Sequence, residues 1–299
     1  MMVASVASIL KDYRHTIADK AFAEHKENKK AESHTSLFAL LYNKGAIMYS
    51  DLQATSNHRL RSSSREDKIY QISEDGIVVA GTGSVSGIMY AAEKAQVLMN
   101  VWKSRNNGRQ IPAREAGDLI AGLLRLNPGL ESYFLMGAYD HERDMPFIAN
   151  ISDDGCVWQT NLFETDGSGS VYIYPRGEVL AAKALSTLPP DVRENVVIIS
   201  DIYSVIEKIV FPLEVALPLG LDAIASGPKT DVFSGGEGFQ VMQLDSAGVK
   251  EYIIPKQRAQ DILNMLHAVE FDAVQPKGSK RRNLTLESHM QIFEQCRRR

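Results

Sequence analysis

The chain has 299 residues, 44% hydrophobic and 23% charged, with a formal net charge of −4. That composition suits a globular protein of one large domain or two small ones. It excludes an overall basic field of the kind that binds nucleic acid or an anionic membrane.

Residues 1–34 stand apart as a leader. "MMVASVASIL" has no basic n-region and is followed by Lys11, Asp12 and Arg14, so it does not read as a secretory signal. From Lys20 to Glu32 the chain is mostly Lys, Glu, Ala and Asn. Such a stretch forms a solvated helix or a flexible leader and cannot bury a core face of its own. The body then opens with two strands, Ser36 to Tyr42 and Ala46 to Ser50, joined at "NKG", where Asn and Gly suit a tight hairpin turn. Further strands are expected at "KIYQI" and "GIVVAG". A helix follows "GTGS", since Ile88, Ala91, Ala92, Ala95, Leu98, Met99 and Trp102 recur at three and four. A second helix runs from about Pro112, a residue suited to a first turn, to Leu126.

Strands return at "SYFLMGAYD", "PFIANIS" and "CVWQT", and a helical stretch after "DGSGS" continues to Leu185. Two more strands, "GFQVMQLD" and "VKEYII", precede a helix from Lys256 to about Val269. Residues 275–299 form a basic tail that reads as a solvated face or a docking segment, with a short helix over Leu284 to Phe293. Runs of strands separated by helix pairs predict a layered α+β fold, two antiparallel sheets between helix layers. No run reaches the roughly 20 apolar residues of a membrane span. Cys156 and Cys296 offer no metal spacing and no disulfide framework, so the expected setting is the cytoplasm, with no metal and no cofactor.

Several polar residues fall where a plain strand core does not need them: Thr35 at a strand start, Asp51 at a strand end and Lys68 leading into "KIYQI". Ser168 sits in "TDGSGS", and Asp231 and Ser234 share "DVFSGG". Each alone has an ordinary explanation. Threonine favours strands, aspartate favours turns, and glycine–serine runs are loops.

Taken in order, these landmarks resemble proteasome beta subunits, most closely the prokaryotic ones, of the N-terminal-nucleophile hydrolases. The matching pieces are Thr35, Asp51 sixteen residues on, "KIYQI", "VVAGTG", "GAYD", "DGSGS" and "DVFSGG", over about residues 35 to 255. The resemblance implies a four-layer αββα sandwich at residues 35–274, and a threonine endopeptidase made as a zymogen. Its nucleophile is freed by autocatalytic cleavage between His34 and Thr35. Chemistry supports that arrangement. A threonine hydroxyl needs a base, and a new N-terminus supplies an α-amine with a pKa near about 7.7–8.0.

By the same resemblance, Thr35 supplies oxygen and amine, Lys68 stands beside the oxygen, and Asp51 holds Lys68. Ser168, Asp231 and Ser234 surround the amine, and the Gly81 N–H faces the oxyanion. Ala54, Thr55 and Val79 line the substrate pocket. The implied partners are identical beta-type subunits in a stacked ring, with alpha-type ring subunits and an ATPase unfoldase as further candidates, and polypeptide substrates. The chain departs from the family pattern at His34, where the family usually has Gly, at Thr230, and in a longer stretch between Ser168 and Asp231. Two alternatives stand beside the peptidase: a catalytically silent ring-building subunit and a small-molecule amidase of the same fold.

Overall fold

A computed structural model describes residues 5, 8, 32–33, 35–56, 60–63, 67–74, 76–160, 162–187, 197–200, 207–230, 236–272 and 290–298. The strands begin with β1 (Glu32–Ser33), β2 (Leu37–Tyr42), β3 (Gly45–Asp51), β4 (Ala54–Ser56) and β5 (Leu60–Ser63), followed by β6 (Ile69–Ser73) and β7 (Ile77–Ser84). Helices α1 (Val85–Arg105) and α2 (Ala113–Leu126) come next, then β8 (Ser132–Asp140), β9 (Met145–Ile151), β10 (Val157–Gln159) and β11 (Phe163–Asp166). Helix α3 (Ser170–Thr187), the pair β12 (Val197–Ser200) and β13 (Glu207–Val210), and helix α4 (Leu213–Thr230) precede the hairpin β14 (Gly238–Asp245) and β15 (Gly248–Pro255) and helix α5 (Lys256–Asp272).

The strands build two antiparallel sheets. One has the order β11-β2-β3-β14-β15; the other has β1-β7-β8-β9-β10, with β6 also on β7. Side-chain alternation sorts their residues into three apolar layers. Leu37, Ala39 and Leu41 of β2 meet Val78 and Ala80 of β7, Leu135 and Ile148 between the sheets. The intervening Phe38, Leu40 and Tyr42 face the other way, into a cluster with Ile173, Leu217, Ile224 and Ile262 of helices α3, α4 and α5. Val79, Phe134 and Met136 face the cluster formed with Ile88, Trp102, Leu119 and Leu123 of α1 and α2. Both faces of each sheet are thus buried, which is why β2 and β3 are apolar without alternation. This is the α+β sandwich expected of the N-terminal-nucleophile hydrolase fold.

Three local features explain where sequence reading and structure meet or part. Ser84 caps α1, its Oγ accepting from the Gly87 N–H at 3.4 Å. Gly45 serves the sheet rather than the turn: a Cβ there would stand 1.7 Å from the Leu244 carbonyl oxygen of β14. The long stretch before Asp231 holds the β12–β13 hairpin and helix α4, which contains Pro218 and Pro228. Tyr49 buries its phenol against that helix and donates to the carbonyls of Ala216 and Leu217 at 3.3 and 3.0 Å. Of the tail helix expected over Leu284 to Phe293, the part before residue 290 lies outside the described residues; residues 290–295 are helical. Among the described residues no helix is long and apolar enough to cross a membrane.

Candidate active site

The site is built where the first strands of both sheets come together. Asp51 ends β3 at 0% exposure, and two donors converge on its Oδ1: the Ser36 N–H at 2.9 Å and the Lys68 ammonium at 2.8 Å. The Asp51 N–H in turn donates to the Ser36 carbonyl at 3.2 Å. One carboxylate oxygen therefore ties the residue beside Thr35 to Lys68. Lys68 is itself only 7% exposed. Removing two such charges from water costs several kcal/mol per ion, and their attraction offsets it only with good geometry and further hydrogen bonds. The Ser36 N–H is one of those bonds.

Lys68 reaches Asp51 because its backbone is pinned by Gln240 of β14. The Gln240 Oε1 accepts from the N–H groups of Lys68 and Ile69, each at 2.9 Å, and its Nε2 donates to the Ile69 carbonyl at 3.1 Å and to Glu251 at 2.8 Å. Gln240 belongs to one sheet and β6 to the other. This buried amide is thus a cross-link between the sheets at the position that aims Lys68. Sequence reading missed it. Its one signal was a glutamine between apolar residues in "GFQVMQLD", a signal it shares with Gln243.

The "DGSGS" turn wraps the backbone of Thr35. Gly167 has φ +89, and a Cβ there would stand 1.9 Å from the Thr35 carbonyl oxygen and 3.3 Å from Thr82 Cγ2. A Cβ on Gly169 would meet Ser36 Oγ at 2.1 Å, and the Gly169 N–H points at the Thr35 carbonyl at 3.5 Å. Both glycines are needed for this approach. Ser168, between them, is exposed. Ahead of the turn, Asp166 accepts from the Thr82 hydroxyl at 3.0 Å and from the Gly167 N–H at 2.6 Å.

Gly81 lies in β7, paired with Phe134. Its missing side chain makes room for α1: a Cβ would strike Ile88 Cγ2 at 2.4 Å. The far edge of β7 is shared. β6 covers its first half, with Ile69 opposite Ala80, and β1 covers its end, with Ser33 opposite Gly83 and Glu32 opposite Ser84. The β4 hairpin strand, which carries Ala54 and Thr55, runs beside β1. The leader pairing was not foreseen, because "ES" carries no strand signal. Val79 is 1% exposed on the helix-facing side of β7, opposite to Val78.

The structure thus gathers Thr35, Asp51, Lys68 and the turn around Ser168, with Gly81 and Thr82 alongside. His34, Asp231 and Ser234 lie outside the described residues. Among the described residues no group of three or more His, Cys, Asp or Glu could hold a metal ion.

Comparison with known proteins gives the family. The sequence profile of the family described as Proteasome subunit matches residues 32–187, more than half of the chain. The chain is also similar to the protein named Proteasome subunit beta 1 of Thermococcus kodakarensis. The two are 24% identical over 220 residues, covering 73% of this chain and 92% of that one.

The Asp166 carboxyl gives the site a testable pH signature. Burial pushes its pKa up, against the opposing pull of the Gly167 N–H and the Thr82 hydroxyl. A carboxyl raised on folding stabilises the fold while protonated, and that contribution is lost as pH rises through the folded pKa. Asp166→Asn stays uncharged at every pH, so its stability relative to the parent should improve from about pH 3 to about pH 8. Thermal midpoints of both proteins at the two pH values measure this. A difference that is flat, or that shrinks toward neutral pH, would contradict the assigned cause.

Proposed function

The chain belongs to the proteasome subunit family, beta type, and from that premise we propose that it is a threonine endopeptidase synthesised with its own inhibitor strand. Family membership supports a proteasome-type protease subunit, and beta subunits of the family generally assemble into stacked rings. The observation that carries the finer reading is the buried Asp51–Lys68 pair joined to residue 36 by one carboxylate oxygen. A silent ring-building subunit has no use for a charge held there.

On this reading Thr35 is the nucleophile. Lys68 favours the alkoxide electrostatically and lowers the hydroxyl pKa, and Asp51 keeps Lys68 charged and aimed. The leader strand explains why Thr35 is 0% exposed. Thr35 lies two positions after Ser33 and Gly81 two before Gly83, so continuing the Ser33–Gly83 antiparallel register would bring Thr35 to the level of Gly81. The Gly81 N–H is then the oxyanion donor for cleavage of the His34–Thr35 bond and later of substrate. After cleavage the α-amine of Thr35 acts as the base, with Ser168, Asp231 and Ser234 as its hydrogen-bond set. Residues 1–34 are the propeptide, residues 35–274 the catalytic domain, and identical subunits form the ring.

Self-removal of the leader is the direct test. Protein purified after assembly should begin at Thr35 by intact mass, and Thr35→Ala should retain residues 1–34. Cleavage after His34 in Thr35→Ala, with no other protease present, rules out self-processing.

The ion pair gives a second test with two readouts. Lys68→Ala leaves the fully buried Asp51 carboxylate without its cation, a loss of about 3–5 kcal/mol in stability. It also removes a preorganised charge, worth about 10²–10³ in rate. Adding Asp51→Asn should restore most of the stability and none of the activity. Near-normal peptide hydrolysis by Lys68→Ala would remove Lys68 from the mechanism.

The pocket supplies a third. The resemblance places Ala54 and Val79 there; Ala54 is small, and Val79, packed in the helix-facing core, offers an apolar wall with no charge, so the residue before the scissile bond should be Leu, Tyr or Phe, with discrimination of about 1–3 kcal/mol per methylene-scale change. A charged side chain there would be desolvated without a partner. Fluorogenic peptides varied at that one residue decide the matter. Fastest turnover with Arg or Lys overturns the assignment.

A further inference from the structure

The C-terminal residues 290–298 fold back onto β15, the outer strand of its sheet. The Phe293 side chain is fully buried, its ring edge-on to Tyr252 at 6.3 Å. The Ile253 N–H donates to the Cys296 carbonyl at 3.1 Å, and the Arg298 N–H donates to the Glu251 carbonyl at 2.8 Å. These contacts cover part of a sheet edge, and they also bring one guanidinium to a particular place. Arg298 Nη1 donates to Asp67 at 2.8 Å and to Glu251 at 2.9 Å.

Both carboxylates lead to Lys68. Asp67 is the residue before it. Glu251 accepts from Gln240 Nε2 at 2.8 Å, and Gln240 Oε1 holds the Lys68 and Ile69 N–H groups. The contacts form a closed circuit: Arg298 to Asp67, along the chain to Lys68, across to Gln240, on to Glu251, and back to Arg298. We propose that Arg298 is a positioning residue for Lys68, so that docking of the C-terminal tail locks the entry of β6 and the aim of the ammonium toward Asp51. The proposal rests on the reading of Lys68 given above.

Counted only as ion pairs, these contacts are weak. Arg298 is 41% exposed, and exposed pairs are worth about 0–1 kcal/mol. Their effect is geometric. A single fork on two carboxylates fixes Glu251, which leaves Gln240 one settled amide orientation, and that orientation presents its oxygen to both N–H groups. Small displacements at a catalytic group cost far more in rate than in stability.

The test uses the full chain as Arg298→Ala and Arg298→Lys. Hydrogen exchange at the Lys68 and Ile69 amides is the first readout and needs no catalysis. It should run about two- to fivefold faster in Arg298→Ala, with β8 and β9 unchanged as internal control. Peptide hydrolysis is the second. It should show kcat reduced about tenfold with KM unchanged, partly rescued in Arg298→Lys, which can still reach one carboxylate. Unaltered exchange at Lys68 and Ile69, or faster exchange spread evenly over both sheets, overturns the positioning role. A parent protein without peptidase activity counts against the proposed function, and exchange still decides the role of Arg298.

Discussion

A carboxylate at 0% exposure must be answered by donors, and much of the site follows from that constraint at Asp51. Its cation comes from the residue just before β6 of the opposite sheet, and its N–H donor comes from the residue after Thr35. The two sheets must therefore meet at one end with a fixed offset. Gln240 fixes it, since one side-chain amide reaches from β14 to both backbone groups at the start of β6. Replacing such a pair with apolar residues often costs nothing in stability. Its presence is better explained by what a held ammonium can do than by what it adds to the fold.

The same geometry gives the glycines their places. The backbone of Thr35 is gripped by Gly167 and Gly169, where any side chain would overlap Thr35 or Ser36. On the other side Gly81 lets Ile88 of α1 approach β7. Thr35, two positions before β2, is thus held by main chain on one side and by the Asp51 contact to its neighbour on the other. If Thr35 is the nucleophile, as proposed, a residue held in this way needs little reorganisation to react.

The layers were legible because their signals are local. The stripe from Ile88 to Trp102 predicts α1, and the continuous apolar runs of β2 and β3 fit strands buried on both faces. Thr35, Asp51 and Lys68 were legible as an ordered set, although each alone is ordinary. Gln240, Glu251 and Arg298 were not, because their role depends on contacts between residues up to 231 positions apart. Pro218 and Pro228 lie inside α4, where proline ordinarily breaks a helix, yet packing against Tyr49 and the Arg176–Asp222 pair at 2.7 Å keep the helix in place. The basic tail read as a solvated face or a docking segment with a short helix up to Phe293; that Phe293 is its buried anchor depends on the contact with Tyr252.

The leader strand carries the reading of the active site one step further. β1 occupies the end of β7 by main-chain hydrogen bonding, which is indifferent to sequence. Removing it on the proposed reading uncovers the edge of β7 at Gly83, beside Gly81, while the Ser84 N–H stays bonded to the Glu131 carbonyl at 3.1 Å. An open edge binds whatever extended chain is offered, so the segment that shields the nucleophile and the segment that is later cut compete for the same backbone groups. Specificity must then come from side-chain pockets alone. On the proposed function, that would fit a peptidase acting on polypeptides of many sequences, and main-chain pairing accounts for a strand as poor in strand signal as "ES".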